Sequence, residues 1–361
     1  MKSKKILSEI VLRPCSKLYG LATFLRNKLF DWKILKSVEF DVPVLVVGNI
    51  AAGGTGKTPH VEYIASQFSK TERVAVLSRG YKRKTKGFVM AGANSTPRDI
   101  GDEAYQIYHK FGGRVIVAVC EDRVAGIREL LRIDPDISMI ILDDAFQHRY
   151  VKPTVSIVVT EYNRPIYDDS LLPYGRLRES PRAINRADIL IVSKCHEAMR
   201  PIDYRMEIKR YGLYPYQSLY FSRFNYCNLT PVFPDVATSF PYLDWLTEDD
   251  SILAIAGIGN PRPFIRKLKS YNAVVKVDIF PDHHNFTRKD IDHITKRFNM
   301  LKGKQRIIVT TEKDAVRLAN NPYYPYELKA HTYYLPVEVE FVDHNPMPVT
   351  EAIRKIIRGN I

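Results

Sequence analysis

The sequence predicts an α/β protein in which a doubly wound, mostly parallel sheet is followed by a second, smaller α/β domain. Short apolar segments bounded by turn residues recur in the first half of the chain, as expected of parallel strands buried on both faces. Helical patterns separate most of these segments, and such alternation is typical of a doubly wound sheet. The predicted strands cover residues 42–50, 73–81, 114–120, 137–145, 155–161 and 187–194.

The second half of the chain changes character twice. Residues 201–249 are rich in Tyr, Pro and Asn without a clear long helix, so they predict a linker or a small β-ribbon. Residues 251–270 and 305–318 then repeat a strand–turn–helix pattern, which indicates the second α/β domain. The predicted organisation is a basic amphipathic helix in 1–36, an α/β domain in 37–200, the linker in 201–249 and a smaller α/β domain in 250–361.

The composition is that of a globular protein with excess positive charge. Of 361 residues, 45% are hydrophobic and 26% are charged, and the formal net charge of +14 favours anionic partners such as nucleic acid, anionic lipid or a phosphorylated substrate. The cysteines lack the spacing of metal sites or disulfide frameworks, so we expect reduced thiols in a reducing compartment. They are Cys15, Cys120, Cys195 and Cys227.

Much of the positive charge lies in the first 40 residues, where nine basic residues face three acidic ones. The longest uncharged run there, residues 18–25, is too short to span a bilayer, so we expect neither a secreted nor a transmembrane protein. Residues 15–36 instead predict an amphipathic helix that begins near Pro14. Its apolar stripe is Leu18, Leu21, Leu25 and Trp32, bordered by Lys17, Arg26, Lys28 and Lys33. The helix packs on its own domain or lies on an anionic membrane surface, and the charge favours the membrane.

The stretch GNIAAGGTGKTPH, residues 48–60, predicts a phosphate-binding loop (P-loop) between a buried strand and a helix over 60–68. Glycines let backbone N–H groups converge on phosphate oxygens, and the helix N-terminus adds its dipole. Lys57 supplies charge to the outer phosphates, and Thr58 is expected to bind Mg²⁺. The predicted nucleotide contacts are Ala51, Ala52, Gly53, Gly54, Thr55, Gly56, Lys57 and Thr58.

Two positions depart from the usual loop. Ala51 stands where the first glycine is expected, which requires a negative φ at that residue. Pro59 has no N–H, so we expect a firm grip on the β- and γ-phosphates and a looser one further in. Partition-type ATPases carry a signature lysine at the position of Ala51, and neither Ala51 nor Ala52 is lysine, which disfavours that class.

Paired carboxylates follow the fourth predicted strand. Asp143 and Asp144 end an apolar segment, and a carboxylate at such a strand end beside a P-loop commonly holds Mg²⁺. A guanine-specific protein would show Asn/Thr-Lys-x-Asp after a late strand. The segment at 193–196 reads Ser-Lys-Cys-His and lacks the aspartate, so the sequence favours ATP over GTP.

Three weaker clusters lie at 101–103 (Gly-Asp-Glu), 177–179 (Leu-Arg-Glu) and 282–284 (Asp-His-His). Asp102 with Glu103 is also what the first turn of an ordinary helix contains, and His283 is equally compatible with a surface position. A kinase, however, needs a base near the acceptor hydroxyl and cations on the transferring phosphoryl group. The clusters offer the base, and Lys57, Arg123 or Arg178 offers the charge.

Together these motifs resemble one family, the tetraacyldisaccharide 4'-kinases of lipid A biosynthesis. The likeness covers most of the chain, and both Pro59 and a missing first loop glycine are regular features of that family. The matching segments are PCSKLYGLATFLR, VPVLVVGNIAAGGTGKTP, LSRGYKR, GDEAYQI, CEDR, ILDDAFQHR, LLPYGRLRES, AIAGIGNPRPF, FPDHHNFT and VTTEKDAVRL.

The resemblance implies a reaction and a site. The γ-phosphate of ATP would pass to the 4'-hydroxyl of tetraacyldisaccharide 1-phosphate, giving lipid IVA. Residues 37–200 would be the P-loop kinase domain, and the smaller domain in 250–361 would contribute to the active site. Asp102 would be the base, supported by His283. The resemblance further assigns Asp143, Asp144 and Glu179 to Mg²⁺, and Tyr81, Arg123 and Arg178 to the acceptor or its phosphate. Ala145 departs from the family's usual glycine, which puts the local backbone angle in question.

The expected partners are the lipid substrate and an anionic membrane surface, at the cytoplasmic face of the inner membrane as a peripheral protein. Nucleic acid is not expected, because the aromatic residues fall mostly in strands and the linker instead of alternating with basic residues. Two alternatives stay open from the residues alone. One is a P-loop switch or partition-type ATPase at the membrane surface, and the other is a basic binding protein that uses ATP structurally.

Overall fold

The computed structural model describes residues 8–237, 242–342 and 345–360; residues 1–7 of the predicted N-terminal segment lie outside this range. Its strands form two sheets, and the predicted α/β fold with a mostly parallel main sheet is confirmed. The main sheet contains β1 (Val44–Gly48), β2 (Val74–Ser78), β3 (Val89–Met90), β4 (Ile116–Val119), β5 (Met139–Asp143), β6 (Val155–Glu161), β7 (Ile189–Ser193), β8 (Ser218–Tyr226) and β14 (Val337–Phe341). The smaller sheet contains β9 (Thr230–Pro231), β10 (Ser251–Ala256), β11 (Val274–Ile279), β12 (Arg306–Thr311) and β13 (Thr332–Leu335).

The main sheet runs in the order β14-β8-β7-β6-β1-β5-β2-β4-β3. The strands from β8 to β4 pair in parallel, and β14 and β3 close the two edges antiparallel. Both faces are covered: Val44 and Val46 of β1 point into one core, whereas Leu45 and Val47 point into the other. Burial on both faces explains why the strands are continuous apolar runs in the sequence.

Helices cover these faces and the smaller sheet. They are α1 (Arg13–Asp31), α2 (Lys57–Phe68), α3 (Pro97–Ile100), α4 (Asp102–Phe111), α5 (Arg123–Ile133), α6 (Pro201–Tyr211), α7 (Arg262–Leu268), α8 (Arg288–Asn299), α9 (Glu312–Ala319), α10 (Tyr326–Lys329) and α11 (Val349–Asn360). Across the residues that the structure describes, no helix combines the length and the apolar character needed to cross a bilayer.

The prediction of a linker without a clear long helix in 201–249 is wrong. Helix α6 occupies the start of this segment, and β8 extends the main sheet in parallel beside β7. Tyr204, Glu207 and Tyr211 form the buried face of α6, and the Tyr204 ring packs edge-on against Phe221 of β8 at 4.9 Å. The i, i+3, i+7 spacing was present, but tyrosine and glutamate do not form the aliphatic stripe that usually signals a helix.

The predicted boundary of the smaller domain at 250–361 also differs from the strand pairing. The last strand, β14, pairs with β8 in the main sheet, and α11 packs its Val349, Ala352 and Ile353 into the core of that sheet. The chain therefore leaves the main sheet after β8, builds the smaller sheet, and returns. A return of this kind leaves no mark in composition, because strand and helix patterns look alike in either sheet.

The two sheets meet through helices α4 and α9. Across this contact Lys313 pairs with Glu103 at 2.8 Å, Arg317 with Asp102 at 2.7 Å and Glu312 with Lys110 at 3.3 Å. Helix α4 follows the short helix α3 after a single residue, Gly101, and α9 follows β12 directly. The contact thus brings residues of the smaller sheet next to the first turn of α4.

Candidate active site

The phosphate loop joins β1 to α2. Gly53 and Gly56 have φ values of 107° and 91°, a region that side chains with a Cβ rarely adopt, and Gly56 caps α2. A Cβ at Gly56 would also lie 2.5 Å from the Phe224 ring. The helix begins at Lys57, three residues before the predicted 60–68, because Pro59 is well suited to a first turn whose N–H groups lack intrahelical partners.

The structure meets the condition placed on Ala51. Among the described residues, positive φ at non-glycine positions occurs at Lys33, Lys82, Asp144, Lys194 and His283, so Ala51 has a negative φ. Ala51 forms an isolated antiparallel bridge with Leu177, and the Ala52 N–H donates to the Arg176 carbonyl at 2.7 Å. Alanine is tolerated because this end of the loop is extended and paired with residues 176–178. Ala145 likewise has no positive φ; the unusual angle falls on Asp144, at 50°.

The carboxyl end of β7 supports the loop from the opposite side. The Ser193 hydroxyl donates to the Thr55 carbonyl at 2.6 Å, and the Lys194 ammonium donates to the Gly54 carbonyl. Lys194 also pairs with Glu161 at 3.3 Å. The sequence analysis used this segment only to decide between adenine and guanine nucleotides. Its position at the end of a late strand was the only feature from which contact with the loop could have been predicted.

His60 is a second support that the sequence did not reveal. Its imidazole is fully buried, with Nδ1 2.7 Å from the Gly56 carbonyl and Nε2 2.8 Å from the Ser222 hydroxyl. A carbonyl only accepts, so Nδ1 carries the proton and Nε2 accepts from Ser222. Burial lowers the pKa of His60 to about 4, outweighing the hydrogen bond to Gly56. A neutral imidazole therefore links the loop, α2 and β8.

The two predicted metal carboxylates lie in different environments. Asp143 ends β5 and is buried, and burial together with the charge of Asp144 raises its pKa to about 6. Asp144 follows with Lys57 Nζ at 3.5 Å and Arg178 Nη1 at 3.0 Å from Oδ1. Burial opposes its charge, but Lys57 and Arg178 outweigh burial and lower the pKa of Asp144. Among the residues that the structure describes, Asp144 forms ion pairs with Lys57 and Arg178, whereas Asp143 forms none.

Asp143 fits the Mg²⁺ expected here. Its Oδ1 is buried and has no hydrogen-bond partner among the described residues, and a divalent cation would compensate both that atom and the like charge of Asp144. Within the same residues no three His, Cys, Asp or Glu side chains surround a metal position. Mg²⁺ commonly takes one or two carboxylates and completes its shell with phosphates and water, so the prediction that Asp143, Asp144 and Thr58 hold the ion requires no third carboxylate.

Two predicted ligands, Arg123 and Glu179, are placed less directly. Arg123 is 3% exposed and donates to the backbone carbonyls of Cys120 and Asp143, at 2.7 and 3.4 Å. Glu179 is buried and pairs through Oε2 with Arg186 and Asn27, both at 2.8 Å. Arg123 therefore braces the strand end that carries Asp143, and the roles of Arg123 toward an acceptor and of Glu179 toward a metal stay predictions.

The opposite wall of the site begins at Gly101. Its φ of 84° and lack of a Cβ let the Tyr81 backbone approach, since a Cβ would lie 2.9 Å from the Tyr81 carbonyl. Asp102 then opens α4, and His283 Nδ1 lies 3.8 Å from its Oδ2. The ring of Tyr81, which is 58% exposed, packs edge-on against His283 with centroids 5.5 Å apart. His284 points elsewhere, bonding Asp290 at 2.9 Å.

Arg317 joins this wall, although the sequence did not single it out. It donates to Asp102 Oδ2 from Nε at 3.0 Å and from Nη2 at 2.7 Å. Burial opposes the charge of Asp102, but the nearby His283 and the charge and hydrogen bonds of Arg317 lower its pKa overall. The neighbouring Glu103 connects the two walls electrostatically, because its charge helps raise the pKa of Asp143. Burial opposes the charge of Glu103 itself, but Lys313 and, to a smaller extent, His283 lower its pKa.

Comparison with known proteins shows which family this chain resembles. The sequence profile of the tetraacyldisaccharide-1-P 4'-kinase family matches residues 8–358. A tetraacyldisaccharide 4'-kinase of Bacteroides thetaiotaomicron is 49% identical over 356 residues, which cover 97% of this chain and 93% of that protein. The enzyme of the same name from Flavobacterium johnsoniae is 41% identical over 337 residues, with 92% and 93% covered.

Similarity extends to a solved structure. The crystal structure of LpxK from Aquifex aeolicus in complex with ATP superposes with a TM-score of 0.72 at 27% identity, covering 97% of this chain and 99% of that one. The match spans both sheets and the walls described above. On these grounds the chain belongs to the tetraacyldisaccharide-1-phosphate 4'-kinase family.

Proposed function

We propose that this protein transfers the γ-phosphoryl group of ATP to the 4'-hydroxyl of tetraacyldisaccharide 1-phosphate, giving lipid IVA. The observation that carries the proposal is the pairing of two walls. A phosphate loop with Lys57 and Asp144 at 3.5 Å stands on one side, and Asp102 with His283 at 3.8 Å stands on the other. Phosphoryl transfer needs both a phosphate grip and a base for the attacking hydroxyl.

Each wall has a separate part in the reaction. The backbone of residues 51–58 and the Lys57 ammonium hold the outer phosphates, while Thr58, Asp143 and Asp144 would hold Mg²⁺, which neutralises charge on the transferring group. Asp102 accepts the proton of the 4'-hydroxyl as its oxygen bonds to the γ-phosphorus and the bond to ADP breaks. His283 then takes that proton toward solvent. The products are the phosphorylated lipid and ADP.

Positive side chains beside the site suit an anionic acceptor. The pKa of His148 is lowered to about 4 by burial and by Arg123, with further contributions from Arg26 and Arg79. The effect marks a positive region at the end of β5, next to the paired aspartates. Arg79 is exposed and lies two residues before Tyr81. We assign this region and Tyr81 to the phosphate and sugar of the acceptor.

A lipid acceptor also accounts for helix α1, which packs on the protein through an inner face that contains Ser16, Asn27 and the buried Phe30. Ser16 donates to the Leu171 carbonyl at 2.8 Å, and Asn27 donates to Glu179. The apolar side chains point outward: Leu18 is 69%, Leu21 54%, Phe24 56% and Leu25 50% exposed. An exposed apolar stripe with basic neighbours suits the surface of an anionic leaflet, and we place the enzyme at the cytoplasmic face of the inner membrane as a peripheral protein.

The test is direct. Purified protein is incubated with γ-labelled ATP, Mg²⁺ and tetraacyldisaccharide 1-phosphate in detergent, and the lipid and free phosphate are separated. Label on the lipid is expected. Label only in free phosphate would favour a switch or partition-type ATPase, and no transfer to either would favour a protein that merely binds ATP.

A further inference from the structure

We infer that Arg317 is a positioning residue for the base: its guanidinium holds the Asp102 carboxylate through Oδ2 and leaves Oδ1 to face the acceptor hydroxyl. The inference rests on the proposed role of Asp102. It adds a residue from the smaller sheet that fixes which carboxylate oxygen reacts and in which direction it points.

The contacts at Asp102 are one-sided. Both hydrogen bonds that Arg317 donates to Asp102, at 3.0 Å from Nε and 2.7 Å from Nη2, end on Oδ2. The nearest His283 atom, Nδ1, is 3.8 Å from the same oxygen. An oxygen that accepts two charged hydrogen bonds is the less basic of the two. Oδ1 is consequently the oxygen available to accept a proton.

Arg317 is itself held rigidly. Its Nη1 bonds Asp314 Oδ1 at 2.7 Å and the Gly257 carbonyl at 3.3 Å, and the Arg317 residue is only 8% exposed. Asp314 is fully buried and accepts from the Gly257 N–H at 2.8 Å and from the Thr311 hydroxyl at 2.7 Å. The guanidinium therefore enters the site from a fixed support. A planar fork with this many directed bonds is not reproduced by lysine.

Arg317 also orients the imidazole. Its Nη2 lies 3.2 Å from His283 Nδ1, and a guanidinium only donates, so Nδ1 is the accepting nitrogen of this pair. In the neutral ring the proton then sits on Nε2, which faces Asp282 at 3.9 Å. The left-handed backbone of His283, at φ 59°, keeps the ring beside Tyr81. Arg317 is thus the direct partner of the base, and His283 is the second.

The charge of Arg317 has a measurable consequence. The side chains that surround Asp102 come from α4, α9, the loop after β11 and the loop after β2. They are Glu103, Lys313, Asp314, Arg317, Asp282, His283 and Tyr81. With Arg317 the carboxylate stays ionised at lower pH, which agrees with the lowered pKa of Asp102. Without Arg317 its stabilising charge and hydrogen bonds would be lost, and the base would be protonated over a wider range of pH.

The experiment measures kcat/KM from pH 5.5 to 9 for wild type, Arg317→Met and Arg317→Lys. Lys313→Met serves as control, because Lys313 pairs with Glu103 across the same helix contact without touching Asp102. Arg317→Met is expected to lose about 10- to 100-fold in kcat with little change in KM for ATP, and to shift the acid limb upward by about one pH unit. Arg317→Lys should keep the acid limb of the pH profile near that of wild type and still lose turnover. Lys313→Met should have the same acid limb as wild type.

Each outcome decides the matter. A wild-type acid limb in Arg317→Met, or the same shift in Lys313→Met, would overturn the inference, since Arg317 would then only stabilise the contact between helices. If circular dichroism shows that Arg317→Met is unfolded, Arg317→Lys decides, and wild-type turnover there would overturn it. Asp102→Asn distinguishes the proposed base from the proposed positioning residue. Full activity of Asp102→Asn would refute Asp102 as the base. An inactive Asp102→Asn together with a wild-type acid limb in Arg317→Met would refute only the role of Arg317.

Discussion

Arg178 donates to both carboxylate oxygens of Asp144, at 3.0 and 3.2 Å. Lys57 Nζ lies 3.5 Å from the same group, so one carboxylate at the end of β5 places two cations beside the phosphate loop. Sharing the charge of Asp144 keeps both cations close to the position of the outer phosphates. Their electrostatic contribution then requires little rearrangement when charge moves to the γ-phosphoryl group.

We expect Lys57→Met to lower kcat by about 10²- to 10³-fold, because it removes a preorganised charge from the transferring phosphoryl group. Arg178→Met should lower kcat as well, since Asp144 would lose its second cation. Lipid phosphorylation at saturating ATP is the measurement, with Lys152→Met, which breaks an exposed pair with Glu39, as control. Unaffected catalysis in Lys57→Met would rule out the assignment of the loop.

The neighbouring aspartates should respond oppositely to removal of their charge. Burial and the charge of Asp144 raise the pKa of Asp143 to about 6, so ionised Asp143 destabilises the fold at pH 8 without Mg²⁺. We expect Asp143→Asn to add about 1 to 3 kcal/mol to the free energy of unfolding. Asp144→Asn should destabilise, because Lys57 and Arg178 lower the pKa of Asp144 and would lose their partner.

Melting with and without Mg²⁺ and ATP tests this pair of variants. The wild-type melting temperature should rise on adding Mg²⁺ with ATP, and that of Asp143→Asn should rise much less. Changes of the same sign in both variants, without Mg²⁺, would contradict the assignment of unequal environments.

His60 predicts how stability depends on pH. Its pKa falls from 6.5 to about 4 on folding, so the unfolded chain binds the proton more tightly and stability is lost as the pH falls through this window. We expect titration of His60 to lower the free energy of unfolding by roughly 2 kcal/mol between pH 7 and pH 5. His60→Gln should be less stable than wild type at pH 7, but its free energy of unfolding should fall by about 2 kcal/mol less than that of wild type on acidification to pH 5.

Urea unfolding at pH 5, 6 and 7 measures the difference. His196→Gln is the matched control, because His196 is an exposed histidine. Equal pH slopes for wild type and His60→Gln would show that His60 is not held neutral by burial.

Much of this candidate site could be predicted from the sequence because its parts are local. The loop over 51–58, the aspartates at a strand end and the first turn of α4 each combine a backbone requirement with a chemical group in a few consecutive residues. The side chains that support these local motifs could not be predicted from the sequence. Ser193 lies 138 residues from Thr55 and Arg317 lies 215 residues from Asp102, so only the folded sheets bring them together. The return of β14 was missed for the same reason.

The Asp102–His283 pair should behave as one unit. We expect Asp102→Ala and His283→Ala each to lower turnover by about 10²- to 10⁴-fold, because both serve the same proton transfer. The double variant should then be little worse than Asp102→Ala alone. His284→Ala is the control, since His284 bonds Asp290 and not Asp102. Near-normal turnover in either single variant would remove that residue from the mechanism, and fully additive losses would mean that the two act independently.

The outward stripe of α1 should determine membrane binding. Leu18, Leu21 and Leu25 are 69%, 54% and 50% exposed, so exchanging all three for Gln costs little folded-state packing. Their burial in an acyl layer is worth roughly 1 kcal/mol or more each, and we expect the triple variant to bind anionic vesicles at least about tenfold more weakly. Co-sedimentation with vesicles of phosphatidylglycerol and phosphatidylethanolamine gives the affinity.

Three comparisons make this result specific to α1. Met300→Gln, which replaces a 63% exposed apolar residue directly after helix α8 and not on α1, should bind vesicles like wild type. Raised salt should weaken the binding of every variant that retains the basic residues, because Lys17 and Lys28 attract the anionic headgroups. Melting temperature and activity on detergent-dispersed acceptor should stay near wild type in the triple variant, since the inner face of α1 still packs on the protein through Ser16 and Phe30. Wild-type vesicle affinity in the triple variant would mean that the stripe does not contact the membrane.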